Sequence, residues 1–307
     1  MVKKKGGGTL EWKAVKNLLL VLLILLNAVL GFFNYQQYQQ NILTSSQEKA
    51  IYEVLSQNHI ILYTDLLTKF PPMRKIALRA PSYSRDDIKQ QFFAGEDTTV
   101  TVEFDKTIIK SQDKILTMQG NKGTIVFTNG TRQSKKTTLE EAKKEAVTFV
   151  NALQKSTEKF EIGNIRQTED GYEFIFFQKY KGMWIFSNYY KVHTGQSGIS
   201  SVELTYFEVE GFTGEKKDIC FSDEALLTFL MEIEKEREQT GNYETITVQK
   251  MELGYDFQEM EELTADNVAK LVPCYYIYVL GKQQPYRINA YTNEMIKPIK
   301  VQNDDVL

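Results

Sequence analysis

The stretch from Lys16 to Gln40, KNLLLVLLILLNAVLGFFNYQQYQQ, is apolar from Leu18 to Phe33 and then turns abruptly polar. As a helix rising about 1.5 Å per residue, Leu18 to Phe33 covers roughly 24 Å, enough to cross a bilayer's hydrocarbon core with little tilt. Asn27 is its one polar side chain, so the segment lacks the polar face of a soluble core helix. A cleaved signal needs small residues before the cut. Val29 and Gly31, followed by Phe32 and Phe33, fit that poorly, so the reading is a retained membrane helix.

Orientation comes from the flanking charge. Lys3, Lys4, Lys5, Lys13 and Lys16 precede the segment, and no Lys or Arg follows until Lys49. Positive charge is held on the cytoplasmic side, which predicts a cytoplasmic N-terminus and an extracytoplasmic chain from about Asn34 to Leu307. Trp12 on one side, and Phe32, Phe33, Tyr35 and Tyr38 on the other, suit the two interfaces.

The exported part is long enough for two modest domains or one elongated one. With 42% hydrophobic residues in the chain it can build a core. The net charge of −3 and the confinement of the lysine cluster to the N-terminus give no nucleic-acid surface. Cys220 and Cys274 are too few for a disulfide scaffold, and pair only if the fold brings them within about 6 Å. His59 and His193 stand apart in sequence, outside any zinc motif. His59 falls at a helix end and His193 before a turn at a strand end. The acidic run from Asp256 to Asp266 lacks the ligand spacing and glycine of a calcium loop and reads as solvated surface. The sequon Asn129, Gly130, Thr131 reads as a hairpin turn. No nucleophile motif, carboxylate pair or phosphate loop offers catalysis, and no cofactor or metal is expected.

Three amphipathic helices are predicted. The first, in SSQEKAIYEVLSQN, has Ser45 or Ser46 as cap and Ala50, Ile51, Val54 and Leu55 as its stripe. The second follows Thr137 or Thr138 and presents Ala142, Ala146, Phe149, Val150 and Leu153. The third has the cap sequence Ser222, Asp223, Glu224 and a stripe of Leu226, Leu227, Phe229, Leu230 and Ile233. From His59 to about Arg132 the chain reads as short strands only. Further strands are FEIGNIRQ, YEFIFFQKY, IFSNYYKVHT, ISSVELTYFEV, ETITVQKMELGYDF, CYYIYVLG and YRINAYTNEMI. The order helix, strand, hairpin occurs twice, with Gly182 and Gly281 beside the hairpin tips. The expected fold is therefore α+β: one transmembrane helix, then an elongated body of antiparallel sheets with packed helices. The chain divides into a cytoplasmic tail (1–17), the membrane helix (18–34), an N-terminal α+β domain (35–135) and a C-terminal α+β domain (136–307).

The basic start EWKAVKN, the anchor LLLVLLILLNAVLGFFNY, the strand phrase HIILYTDL and the hairpin YYKVHTG together resemble the YycI family, over nearly the whole chain. The resemblance implies a non-enzymatic accessory of a two-component system, that of the YycG (WalK) sensor histidine kinase controlling cell-wall metabolism in Gram-positive bacteria. It implies a YycH-like companion, whose C-terminal domains the exported part resembles, and action on the kinase through membrane helices. PCYYIYVLG and QPYRINAYTNEM are also similar to PepSY-type helix-plus-hairpin modules. This leaves two other functions in view: an exported ligand-binding or protease-inhibiting module on a tether, and a cell-wall-modifying enzyme.

Within lipid, helices recognise each other at small residues and by side-chain amides. Asn27 and Gly31 lie on one face, and helical spacing adds Leu20, Ile24 and Asn34 as a candidate seam. Asn27 either seeks a partner across that seam or bonds its own backbone.

Overall fold

The structure, a computed structural model, describes residues 12–81, 84–128, 130–131, 138–153, 159–259 and 268–297. Helix α1 (Trp12–Gln40) is followed at once by α2 (Ser45–Gln57). The α2 cap is Thr44 rather than Ser45 or Ser46. Its hydroxyl accepts the Gln47 N–H while the Gln47 side chain accepts the Thr44 N–H, a reciprocal box that neither serine can form. Ile51 and Leu55 are buried, whereas Ala50 is exposed.

Strands β1 (Ile60–Leu62) and β2 (Met73–Arg79) lead to a helix absent from the sequence reading, α3 (Arg85–Phe93). Ser84 caps it by pairing with Asp87, and Ile88, Phe92 and Phe93 are buried. An antiparallel meander follows: β3 (Thr99–Glu103), β4 (Lys106–Lys110), β5 (Lys114–Gln119) and β6 (Lys122–Phe127).

Helix α4 (Leu139–Leu153) is capped by Thr138, whose hydroxyl accepts the Glu141 N–H. It buries Ala142, Ala146, Val150 and Leu153, with Phe149 edge-on to Phe127 at its margin. Strands β7 (Lys159–Gln167), β8 (Tyr172–Tyr180), β9 (Met183–Gly195) and β10 (Gly198–Thr205) pair antiparallel in sequence order. The stretch read as one strand, ISSVELTYFEV, is divided: β10 stays beside β9, and β11 (Glu208–Lys217) departs to pair with β2.

Helix α5 (Ser222–Thr240) begins with Ser222 inside the helix. Its hydroxyl reaches the Leu67 carbonyl at 2.9 Å, and Glu224 accepts the Phe221 N–H instead. Leu226, Phe229 and Ile233 face the core, while Leu227 is turned out. The chain then forms β12 (Ile246–Asp256), β13 (Val268–Val279), β14 (Tyr286–Asn289) and β15 (Glu294–Met295). The order helix, strand, hairpin is thus present twice, from α4 and from α5.

The main path through the sheet is β11-β2-β13-β12-β9-β10-β6-β5-β4-β3. β1 branches from β12, β14 and β15 from β13, and β7 and β8 from β9. Among the described residues, β1 with β12 and β12 with β9 are the pairs that run parallel. One core lies under α2 and α5, with Leu55, Phe70, Ile76, Phe229 and Tyr275; a second lies under α3 and α4, with Phe92, Leu116, Val150, Phe174 and Val202.

β13 is buried on both faces, so Cys274, Tyr276 and Tyr278 look away from the helices into an aromatic cluster with Phe177 and Phe186, while Tyr275 and Ile277 look toward α5. Cys220 packs on the α5 side. The two cysteines are accordingly free thiols separated by the sheet.

Candidate functional site: an exposed apolar helix clamped to the sheet

From Val15 to Phe33, α1 is long and apolar enough to cross a membrane, and none of that window is buried by the rest of the chain. Such a surface is favourable only in an apolar environment. Leu20, Ile24, Asn27 and Gly31 fall on one face at spacings of four, three and four, and all four are exposed. A side chain added at Gly31 would meet open space. The Asn27 amide donates to the Leu23 carbonyl at 2.9 Å, so one of its donors is satisfied within its own helix. Asn34 and Lys13 belong to α1, but their side chains lie outside the described residues; Lys16 is exposed at the start of the span, and Lys3, Lys4 and Lys5 lie outside the described residues.

The residues 41–44 that link α1 to α2 are held against the body. Ile42 forms an antiparallel bridge with Lys69; the Leu43 N–H donates to Thr68 O at 3.0 Å and the Phe70 N–H to Asn41 O at 2.9 Å. Leu43 and Phe70 are buried in the α5 core, and Phe70 stacks on Phe221 with ring centroids 4.7 Å apart. The end of α1 is therefore joined to the start of α5 through backbone bonds and one aromatic stack. Rotation or tilt of α1 has a short, packed path into the body.

His193 does not stand alone. On β9 its Nε2 lies 3.5 Å from Glu173 on β8 and 3.7 Å from Glu203 on β10. Arg166 pairs with Glu173 at 2.7 Å and Lys191 with Glu203 at 2.9 Å. The neighbouring His193, with help from Lys191, lowers the Glu203 carboxyl to about 2 despite partial burial. Both carboxylates are matched by cations, which makes this a cross-strand charge ladder. His59 occupies a left-handed turn (φ 55°) after α2, where its carbonyl accepts the Ile246 N–H. Burial pushes the Cys220 thiol up to about 12 and Cys274 well above its ordinary value, which removes thiolate character from both. Among the described residues no group of three His, Cys, Asp or Glu is arranged to hold a metal ion.

Asp256, the first residue of the acidic run, is buried rather than solvated: it accepts from Tyr276 at 2.6 Å and from Arg287 at 2.9 Å. Residues 260–266 of that run lie outside the described residues, as does Asn129 of the sequon.

The family profile described as YycI protein matches residues 38–291. The chain belongs to the YycI family. The match begins at the foot of α1 and covers the clamp, both cores and every strand up to β14. YycI membership supports an accessory role beside a two-component regulator, in association with the YycG/WalK kinase system. Among solved structures, an uncharacterized protein from Eubacterium rectale is similar at 12% identity with a TM-score of 0.49, covering 78% of this chain and 89% of its own. The C-terminal domain of Bacillus megaterium YpeB is similar at 17% identity with a TM-score of 0.41, covering 73% of this chain and 100% of its own. No curated protein matches.

For this YycI chain, the sequence reading reached the exposed helix but not what holds it. The clamp joins Asn41–Leu43 to Thr68–Phe70 across all of α2 and β1, and its signal in sequence is only the apolar residues Ile42, Leu43 and Phe70 in polar surroundings.

Proposed function

We propose that this chain is a membrane-anchored, non-enzymatic accessory regulator of a cell-wall-related two-component sensor kinase. In this reading α1 crosses the membrane once, Lys3, Lys4, Lys5, Lys13 and Lys16 stay in the cytoplasm, and the sheet body lies outside. The observation that carries the reading is the pairing of a wholly exposed apolar helix with a backbone clamp, in a chain of the YycI family. A regulator without chemistry works by binding two states of its target unequally. The seam of Leu20, Ile24, Asn27, Gly31 and Asn34 supplies that contact within lipid, and the body supplies a second contact to the kinase and to a YycH-like companion. The clamp makes the two contacts interdependent.

The test is to exchange residues 18–34 for an unrelated membrane helix of equal length. Kinase output in cells should lose its dependence on the protein while the body stays folded and membrane-bound. Unchanged output would favour the tethered ligand-binding or protease-inhibiting module, to which the two helix-and-hairpin units also correspond. A wall-cleaving activity abolished by Glu203→Gln or Glu173→Gln would instead favour the enzyme.

A further inference from the structure

Helix α5 serves the core with one face alone. Leu226, Phe229, Ile233 and Arg237, at spacings of three, four and four, are buried. The opposite face carries Asp223, Leu227, Met231, Glu234 and Glu238, at spacings of four, four, three and four. Leu227 is 44% exposed and Met231 is 65% exposed, with half-buried Leu230 beside them. The fold has no need of apolar side chains there, because a helix position that faces water is served as well by Glu, Gln or Lys. A single exposed Leu calls for no explanation. An apolar pair one turn apart on one ridge, one of them an adaptable Met, is the pattern of a docking face.

The charge around that pair has one sign. α5 holds six acidic residues against two basic ones. Of the two bases, Arg237 is buried on Glu234 and the Asn58 carbonyl, and Lys235 is held to one side on Glu232. Glu236 lies on the far side of the ridge, bonded to Lys282 and Tyr286. Asp223 and Glu224 therefore close one end of the apolar pair, and Glu234 and Glu238 close the other. Exposed Glu294 adds a further acid beside Asn293, whose amide donates to the Glu224 carbonyl. This rim repels an anionic lipid surface, and a second copy of α5 laid along the first sets acid against acid in either direction.

We propose that the outer ridge of α5 docks a helix of another protein, one that presents two apolar side chains a turn apart between Lys or Arg residues. Its apolar pair packs around Leu227 and Met231 as ridges into grooves, and its bases meet the acids at the two ends. The inference deepens the regulatory reading and rests on it for the purpose of the contact. Phe221, the residue before α5, stacks on Phe70 of the clamp, so a load on the ridge and a tilt of α1 meet at one aromatic pair.

The experiment uses the full chain in its native membrane, with the photoreactive residue p-benzoylphenylalanine at Met231 and, as control, at exposed Lys216 on β11. Cross-linked peptides are identified by mass spectrometry. The Met231 position should give about tenfold more adduct than the Lys216 position, on a segment of another protein where Lys or Arg flank apolar residues three or four apart. Leu227→Lys with Glu238→Lys, both exposed positions, should keep the urea midpoint and lower the yield about tenfold; Glu in place of the bases so mapped on the partner should restore it. Adduct no higher than at Lys216 with the protein still in the membrane fraction, adduct on a second copy or on a segment without those bases, or a yield indifferent to the charge reversal overturns the proposal. An adduct of the expected chemistry on a protein outside the kinase system leaves this contact standing and removes the regulatory reading. Absent adduct, with kinase output still lost when residues 18–34 are exchanged, does the reverse.

Discussion

Asn188 on β9 bonds the backbone of Phe207 as a neighbouring strand would: its amide donates to the Phe207 carbonyl at 2.8 Å and its Oδ1 accepts the Phe207 N–H at 2.9 Å. The same amide also donates to Gln178, and the side chain is fully buried. This is the fork at which β10 leaves β9 and turns into β11, while β12 takes its place in parallel beside Trp184 and Ile185. A sheet divided in its interior would otherwise leave two orphaned backbone groups. Asn188→Ala should therefore cost about 2–4 kcal/mol, read as a lower urea midpoint. An unchanged midpoint would show that water serves the fork equally well.

Gly254 is the other half of that junction. A Cβ there would sit 2.8 Å from the Trp184 carbonyl oxygen and 2.5 Å from the Phe186 ring. Backbone cannot step aside as a flexible side chain can, so Gly254→Ala should destabilise the body by at least about 1–3 kcal/mol. Gly31→Ala, with nothing within 4 Å, should leave thermal unfolding of the body unchanged.

The charge ladder predicts a pH window. The Glu203 carboxyl is held below its ordinary value of 4.5, at about 2, first by His193 and then by Lys191. A depressed carboxyl stabilises the fold above its unfolded pKa, and that contribution fades as pH falls from about 4.5 through about 2. Glu203 is partly exposed, so solvent screening keeps the effect small. Glu203→Gln should flatten the stability profile across that window and change it little above it. A profile equally steep in the variant would remove the ladder from the account.

At the triad of buried Asp256 and Tyr276 with half-buried Arg287, removing the acid strands a cation. Asp256→Ala should cost about 3–5 kcal/mol, measured by chemical denaturation. Asp256→Asn, which keeps an acceptor for the Tyr276 hydroxyl, should cost less.

Legibility in the sequence followed the range over which each feature is determined. The apolar run of α1 and the stripe Ala142, Ala146, Val150 of α4 are local, and both are visible as pattern. Helix α3 was also local, announced by Ser84 and Asp87 at capping spacing with Ile88 and Phe92 four apart, but six charged or amide residues in so short a segment mask its face. The division of β10 from β11 was not legible, because it is made by Asn188, nineteen residues from its partner Phe207. His193 looked solitary because its carboxylates come from the strands on either side. Asp256 looked solvated because its cation, Arg287, is brought to it by β14 pairing with β13.

The central claim is that α1 is an uncut anchor with its lysines inside and the sheet body outside. Protease added to intact cells, followed by mass analysis of what remains, tests it most directly. The account predicts that untreated protein retains its residues before Leu18, and that external protease removes the body while leaving a membrane-held fragment that contains Lys16. A mature chain beginning after position 34, or a body digested only once the cells are broken, would contradict it.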